Sequence, residues 1–262
     1  MIREELYKVF RSKKAWAVVI IGLIMGILHT KESIFFTGSP DVKMNPYHPV
    51  FASFLNGVSA EGSYRTYFTW AMPIFLIVAY CGRYSDEKKK NMDIAYFTRV
   101  GKRKMFFGKL KTSALVAIII NAVPNIYSII VTTIFMHGQN GFTDMESWSE
   151  KSAGRFVYWT VHNPYKAYIL YLLSNFIIAC MLAVICQCAV FIFEDSRLAM
   201  LIVFAIWLGV NFGNRYIYLG RALQIYAGDL KDILWGYAGI VPMVLLWFAA
   251  GYIKVVKKSD KI

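Results

Sequence analysis

The chain alternates long apolar runs with short polar segments, and the runs lack the polar stripe that a half-exposed soluble helix keeps. Apolar residues fill 15–30, 66–82, 112–136, 167–193, 198–214 and 233–253. A bilayer is crossed by about 20 residues of helix, so the first run, the shortest, is expected to begin inside the helix that precedes it. The pattern predicts an all-α, polytopic membrane protein with six transmembrane helices in a single permease-like domain over 1–262. Pro73, Pro124 and Pro242 fall inside runs; the first two are expected to kink their helices and free a carbonyl that needs another partner. Only Glu194-Asp195-Ser196-Arg197 separates the fourth and fifth runs, which implies a tight turn at one membrane face.

The polar segments have patterns of their own. Over 1–14, Ile2, Leu6, Val9 and Phe10 recur at helical spacing, with Arg3, Glu4, Lys8, Arg11 and Lys14 mostly on other faces and Glu4 placed to pair with Lys8. This is an N-terminal interfacial helix lying along the membrane. No small-residue cleavage site follows before His29 and Lys31, so the segment is expected to be retained. The loops 31–65 and 137–166 are turn-rich and too short for a folded enzyme domain. The segment 215–232, with Tyr216, Tyr218, Leu219, Leu223, Ile225 and Tyr226, reads as an extracellular amphipathic segment, interfacial or re-entrant.

Composition agrees: 57% of residues are hydrophobic, 16% aromatic, and the net charge is +13. That charge is divided between apolar runs as on the inner side of a multi-pass protein, and no nucleic-acid recognition module accompanies it. With the N-terminus inside, the inner segments hold 20 of the 29 Lys and Arg, ten of them in 83–111, and the net charge is +12 inside against +1 outside. Both termini are therefore expected to be cytoplasmic. Every Asp, Glu, Lys and Arg falls outside the runs, which leaves no obvious intramembrane relay for proton-coupled transport. Cys81, Cys180, Cys186 and Cys188 lie in the runs as small hydrophobes, with no disulfide framework or metal-ligand spacing. Neither a P-loop nor a nucleophile motif is present, so no catalytic residue, metal or cofactor of its own is expected, and any energy comes from elsewhere.

Three groups of residues are candidates for function. In the segment 83–111, Ser85 can cap a helix with Asp86 and Glu87 at its positive end; Met92, Ala95, Tyr96 and Arg99 then share a face, and Gly101 offers a stop. A short helix with apolar anchors and charged flanks suits a groove on a partner protein, or it rests on anionic headgroups. Asn121, Asn125 and Ser128 in the third run, Asn175 and Gln187 in the fourth and Asn211 in the fifth either line a substrate path or join helices through hydrogen bonds. Tyr168 and Tyr171 fit an aromatic belt, and Gly22 and Gly26 a close helix contact, within the chain or at a dimer seam.

The layout resembles the ATP-binding cassette (ABC) type-2 transporter permeases. Glu87-Lys88 after the second run, the helix-prone stretch to Arg99, then Lys102-Arg103 and Gly108-Lys109 before the third match their basic inner segment. The start, Glu5-Leu6-Tyr7-Lys8-Val9-Phe10, looks like bacterial bacitracin- or lantibiotic-type exporter permeases. The resemblance covers the whole chain in layout and about 40 residues in motif. It implies a multi-pass permease of a bacterial plasma membrane that forms a homodimer or heterodimer. It also implies a separate cytoplasmic ABC ATPase that holds ATP and Mg, and coupling through 83–111 at Glu87, Met92, Tyr96, Arg99 and Arg103. The expected activity is export of a hydrophobic or amphipathic substrate, a peptide antibiotic or a lipid-like molecule. The alternative is a non-transporting sensor or immunity protein that binds a peptide through its outer loops.

Overall fold

The computed structural model describes residues 2–37, 48–50, 52–55, 63–92, 98–138, 155–212, 223 and 230–257, except the side chains of 35–37, 63, 212 and 232. Among these residues there is no strand, and the regular elements are helical. They are α1 (Ile2–Phe10), α2 (Lys13–Thr37), α3 (Ser63–Leu76), a π-helical turn (Ile77–Cys81), α4 (Arg83–Lys89), α5 (Lys102–Phe135), α6 (Arg155–His162), α7 (Pro164–Phe193), α8 (Ser196–Phe212), α9 (Leu230–Tyr252) and a closing π-helical turn (Ile253–Lys257).

Four stretches are long and apolar enough to cross a membrane: Lys13–Ile34, Lys102–Phe135, Pro164–Phe193 and Ile233–Lys257. Their outer faces suit lipid, with Ile20, Ile24, Ile134, Leu173, Leu245 and Leu246 exposed. Helix α5, at 34 residues, is about 51 Å long, well beyond a hydrocarbon core of about 30 Å. The shortness of the first run is resolved by α2, which begins at Lys13 and reaches Thr37. A break at Arg11-Ser12 separates it from α1, and the Trp16 indole donates back across the break to the Phe10 carbonyl (2.7 Å).

Helix α7 is the hub. Around Leu182, Ala183, Ile185, Cys186, Cys188, Ala189 and Val190 almost every face is buried, because alanine and cysteine let α5, α8, α9 and α3 approach from several sides. Helix α9 comes close at Gly251, where a Cβ would lie 3.1 Å from the Cys188 Sγ. On the far side of α5 lies α2, and here Gly22 and Gly26 find an intramolecular use: a Cβ on Gly26 would sit 3.0 Å from Pro124, and one on Gly22 3.2 Å from Phe68. The carbonyl of Thr69, freed by Pro73 one turn on, accepts the Trp207 indole N–H (2.8 Å), so the kink in α3 is closed by α8.

One expectation is corrected at the end of the bundle that holds Tyr168. Tyr168 and Tyr171, expected in an aromatic belt, are both buried, and the Tyr168 hydroxyl donates to the Asn125 carbonyl (3.0 Å). Within the loop expected over 31–65, Val50, Phe54 and Leu55 are buried. The Ser128 hydroxyl, on α5, accepts both the Phe54 N–H (2.9 Å) and the Thr30 hydroxyl (2.9 Å), tying this segment and α2 to α5.

Candidate functional site

The end of the bundle where α1, α4, α5 and the closing π turn meet is built around one ammonium group. Helix α1 brings Glu5 onto the same stripe as Ile2 and Val9, and it is buried with Val9 where α1 packs on α5. Helix α5 brings Lys109, which shares a buried face with Met105, Phe106, Thr112 and Ser113. Helix α4 brings Glu87. The Lys109 Nζ donates to Glu87 Oε2 at 2.6 Å and lies 3.5 Å from Glu5 Oε2, and its side chain is 3% exposed. The Tyr80 hydroxyl donates to Glu5 Oε2 (2.9 Å) and Lys8 to Glu5 Oε1 (2.9 Å). Arg83 and Lys8 approach Glu87 Oε1 at 3.6 and 3.9 Å.

This arrangement depends on the π-helical turn, whose wider ring carries Tyr80 towards α1. The turn closes with the Gly82 N–H on the Ile77 carbonyl (2.8 Å), and a Cβ on Gly82 would fall 2.8 Å from that same oxygen, so only glycine fits. Burial alone would raise the pKa of Glu5. The charges of Lys109 and Lys8, with the hydrogen bonds from Lys8 and Tyr80, outweigh it and hold the carboxyl at about 2. Glu5 is thus a carboxylate through the physiological range, and two acids and one lysine from three helices form a closed ionic joint.

A second joint lies beside it. Glu194, in the left-handed cap that ends α7 (φ 60°), pairs with Lys88 of α4 and, at 3.3 Å, with Lys254 of the closing π turn. Partial burial pushes the Glu194 carboxyl up, but the two lysines outweigh it and lower its pKa. A cleft of about 950 Å³ opens between α1, the start of α2, α4 and the start of α8, with Lys13, Lys14, Lys89, Met92 and Arg197 on its walls.

The expected helix over 85–100 is corrected. Helix α4 starts at Arg83, with Gly82 in the N-cap position and Ser85 buried inside the helix, and it ends at Lys89. Asn91 then takes a left-handed φ of 54°, residues 92 and 98–100 are helical again, and Gly101 (φ 82°) both follows them as the expected stop and caps the start of α5. Glu87 is correspondingly not a free contact for a partner, since it is buried and held by Lys109. Met92, Arg99 and Arg103 are exposed, and Tyr96 lies outside the described residues.

Asn121, Asn125, Asn175, Gln187 and Asn211 are all buried, and most are used in hydrogen bonds. Asn125 Nδ2 donates to the Asn121 carbonyl (2.7 Å) and Oδ1 (2.9 Å), and Asn211 Nδ2 to the Trp207 carbonyl of its own helix (2.8 Å). Asn175 takes Arg65 on its Oδ1 (3.0 Å) and donates to the carbonyls of Tyr171 (2.8 Å) and Leu223 (3.0 Å). The Gln187 amide has no partner among the described residues. Asn121 and Asn175 meet at one small cavity beside Arg65, whereas Asn125, Gln187 and Asn211 do not line it. Leu223 reaches the twelfth residue of α7, so the segment 215–232 touches the bundle interior at that residue.

Tyr80 and Arg65 are residues that sequence reasoning passed over, and Glu5 and Lys109 entered it only as parts of the permease-like motifs. Glu5 shares its stripe with Ile2 and Val9, which is a readable signal of burial. Arg65 and Lys109 fall outside the apolar runs, and both are nevertheless buried within the protein. The chain is similar to the Uncharacterized protein YybM of Bacillus subtilis (strain 168), with 18% identity over 214 residues, which is 82% of each chain. No family model matches it, and no solved structure matches it.

Proposed function

We propose that the chain is the membrane-spanning subunit of an ATP-driven ABC exporter, moved by a separate cytoplasmic ATPase that carries ATP and Mg. In this reading it spans a bacterial plasma membrane six times, with α3 plus its π turn and α8 as the two shorter spans and both termini inside. It works beside a second permease copy or a paralogue. The observation that carries the reading is the Lys109 joint: α4 cannot tilt without moving α1 and α5, because Glu87 and Glu5 are held by one buried ammonium. Exposed Met92, Arg99 and Arg103, on the chain between and into those helices, supply the handle on which a partner can push. The push is passed through the joint to α5 and, through Tyr80, to α3, so a rigid-body movement at the inner end changes how the helices meet further out.

The substrate reading is hydrophobic or amphipathic, a peptide antibiotic or a lipid-like molecule. It is supported by the apolar outer faces of α2, α5, α7 and α9 and by buried polar groups that are mostly engaged with the protein itself. Arg65 is not a proton relay, since a guanidinium does not release its proton in the working range. The test is purification of the chain from its native membrane. Vanadate-sensitive ATP hydrolysis by a co-purifying ATPase, stimulated by substrate, supports the exporter. A chain that purifies without a nucleotide-binding partner and binds peptide from outside supports the sensor or immunity reading instead.

A further inference from the structure

Arg65 occupies the first turn of α3, and its side chain is wholly enclosed, with 2% of the residue exposed. Of its five N–H donors, three are used: Nη1 donates to the Phe54 carbonyl (2.7 Å), and Nη2 to the Leu223 carbonyl (2.6 Å) and to Asn175 Oδ1 (3.0 Å). All three acceptors are neutral. The Phe54 ring, 5.4 Å from the guanidinium carbon, offers its π face but no charge. Among the described residues no carboxylate pairs with Arg65, and its Nε has no partner. The N-terminal end of α3 adds positive potential at the same place. An enclosed cation whose described partners are all neutral is costly to bury.

The guanidinium borders a cavity of about 20 Å³, shared with Thr69, Asn121, Asn175, Trp207 and Leu223. That is room for about one water-sized or slightly larger particle. Trp207 Nε1 is already bonded to the Thr69 carbonyl, and both donors of Asn175 are used on carbonyls. Asn121 accepts Asn125 on its Oδ1, which leaves its own amide N–H groups to face the cavity. Asn121 thus adds a neutral donor beside the guanidinium, whose Nε is buried without a partner. An anion in the cavity offsets the charge of the enclosed guanidinium, which a water does not.

We propose that this cavity binds a small monovalent anion, chloride as the working case, which neutralises Arg65 and holds α3, α5 and α7 together where they meet. The site stands apart from the exporter reading and from the inner Lys109 joint. The experiment is thermal unfolding of the full chain in detergent micelles, titrating sodium chloride against sodium gluconate at constant ionic strength, since gluconate is too large for the cavity. Chloride at ten times its dissociation constant raises the folded-to-unfolded ratio about 11-fold, which corresponds to a midpoint shift of about 4 °C that saturates. Arg65→Gln removes the chloride increment. Because that variant can also fail to fold, Asn121→Asp gives the decisive arm. It keeps the acceptor for Asn125 and supplies a built-in negative charge, so it should raise the midpoint in gluconate and abolish the chloride increment. An unfolding midpoint in the unaltered chain that is the same in both salts, as for a cavity holding only water, overturns the proposal. So does a chloride increment that survives in Asn121→Asp.

Discussion

Replacing Lys109 with methionine leaves Glu5 and Glu87 facing one another without the ammonium that lies 3.5 and 2.6 Å from them. The Glu5 carboxyl, ordinarily near 4.5, sits at about 2. At 1.36 kcal/mol for each tenfold change in proton affinity, that fall represents roughly 3 kcal/mol, of which Lys109 supplies the largest favourable part. The charge-assisted bond to Glu87 adds about 1.5–3 kcal/mol, so the variant should lose about 3–5 kcal/mol, the usual cost of breaking a buried ion pair. The assay is tryptophan-monitored thermal unfolding in micelles, and the expected fall in midpoint is about 10 °C. The triple variant Glu5→Gln, Glu87→Gln, Lys109→Met should recover most of it, because neutral groups of similar shape tolerate burial. A Lys109→Met midpoint within about 1 °C of the unaltered protein would refute the reasoning, as would a triple variant no better than the single one. pH adds a further check. The folded-state pKa of Glu5 is depressed, so its contribution is complete above about 4.5 and disappears as pH falls towards about 2. The unaltered chain should therefore lose stability over that window, and Lys109→Met should lose less.

Other positions give smaller, separable effects. Ser128→Ala strands the Phe54 N–H, while the Thr30 hydroxyl keeps the Gly26 carbonyl, and should cost about 1–3 kcal/mol in the same unfolding assay; Thr at this position should retain part of it. Gly26→Ala drives a Cβ to 3.0 Å from Pro124 and should cost about 1–3 kcal/mol, whereas Gly209→Ala, with nothing within 4 Å, should be near neutral. Trp207→Phe leaves the Thr69 carbonyl, freed by Pro73, without its donor, and should destabilise by about 1–3 kcal/mol.

What could be read from the chain was whatever depends on runs of one residue type. Lys13–Ile34, Lys102–Phe135, Pro164–Phe193 and Ile233–Lys257 announce themselves by apolar length, because bilayer thickness sets a minimum that few soluble helices reach. The burial of Lys109 and Arg65 was not legible because a charge is assigned to water by default. Only the fold supplies Glu5 from 104 residues upstream, or Asn175 from 110 residues downstream, to make burial tolerable. The helix expected over 85–100 starts elsewhere and is broken for a local reason. The π turn at Ile77–Cys81 runs into α4 through Gly82, so the helix starts two residues before the Ser85 cap, and left-handed Asn91 separates α4 from the helical residues 92 and 98–100. Tyr168 and Tyr171 look like belt residues by composition, yet α6 and residues 48–55 cover them, which no window of local sequence reveals.

The central claim is that α4 and its flanking chain receive movement from an ATPase and deliver it through Lys109. It is tested most directly by ATP hydrolysis in the purified complex, comparing Met92→Ala/Arg99→Ala with Lys109→Met. The first variant should lose the co-purifying ATPase while inserting and unfolding normally. The second should retain the ATPase but lose substrate stimulation of its vanadate-sensitive hydrolysis. A Met92→Ala/Arg99→Ala chain that still carries a fully stimulated ATPase, or a complex in which Lys109→Met leaves stimulation intact, would contradict it.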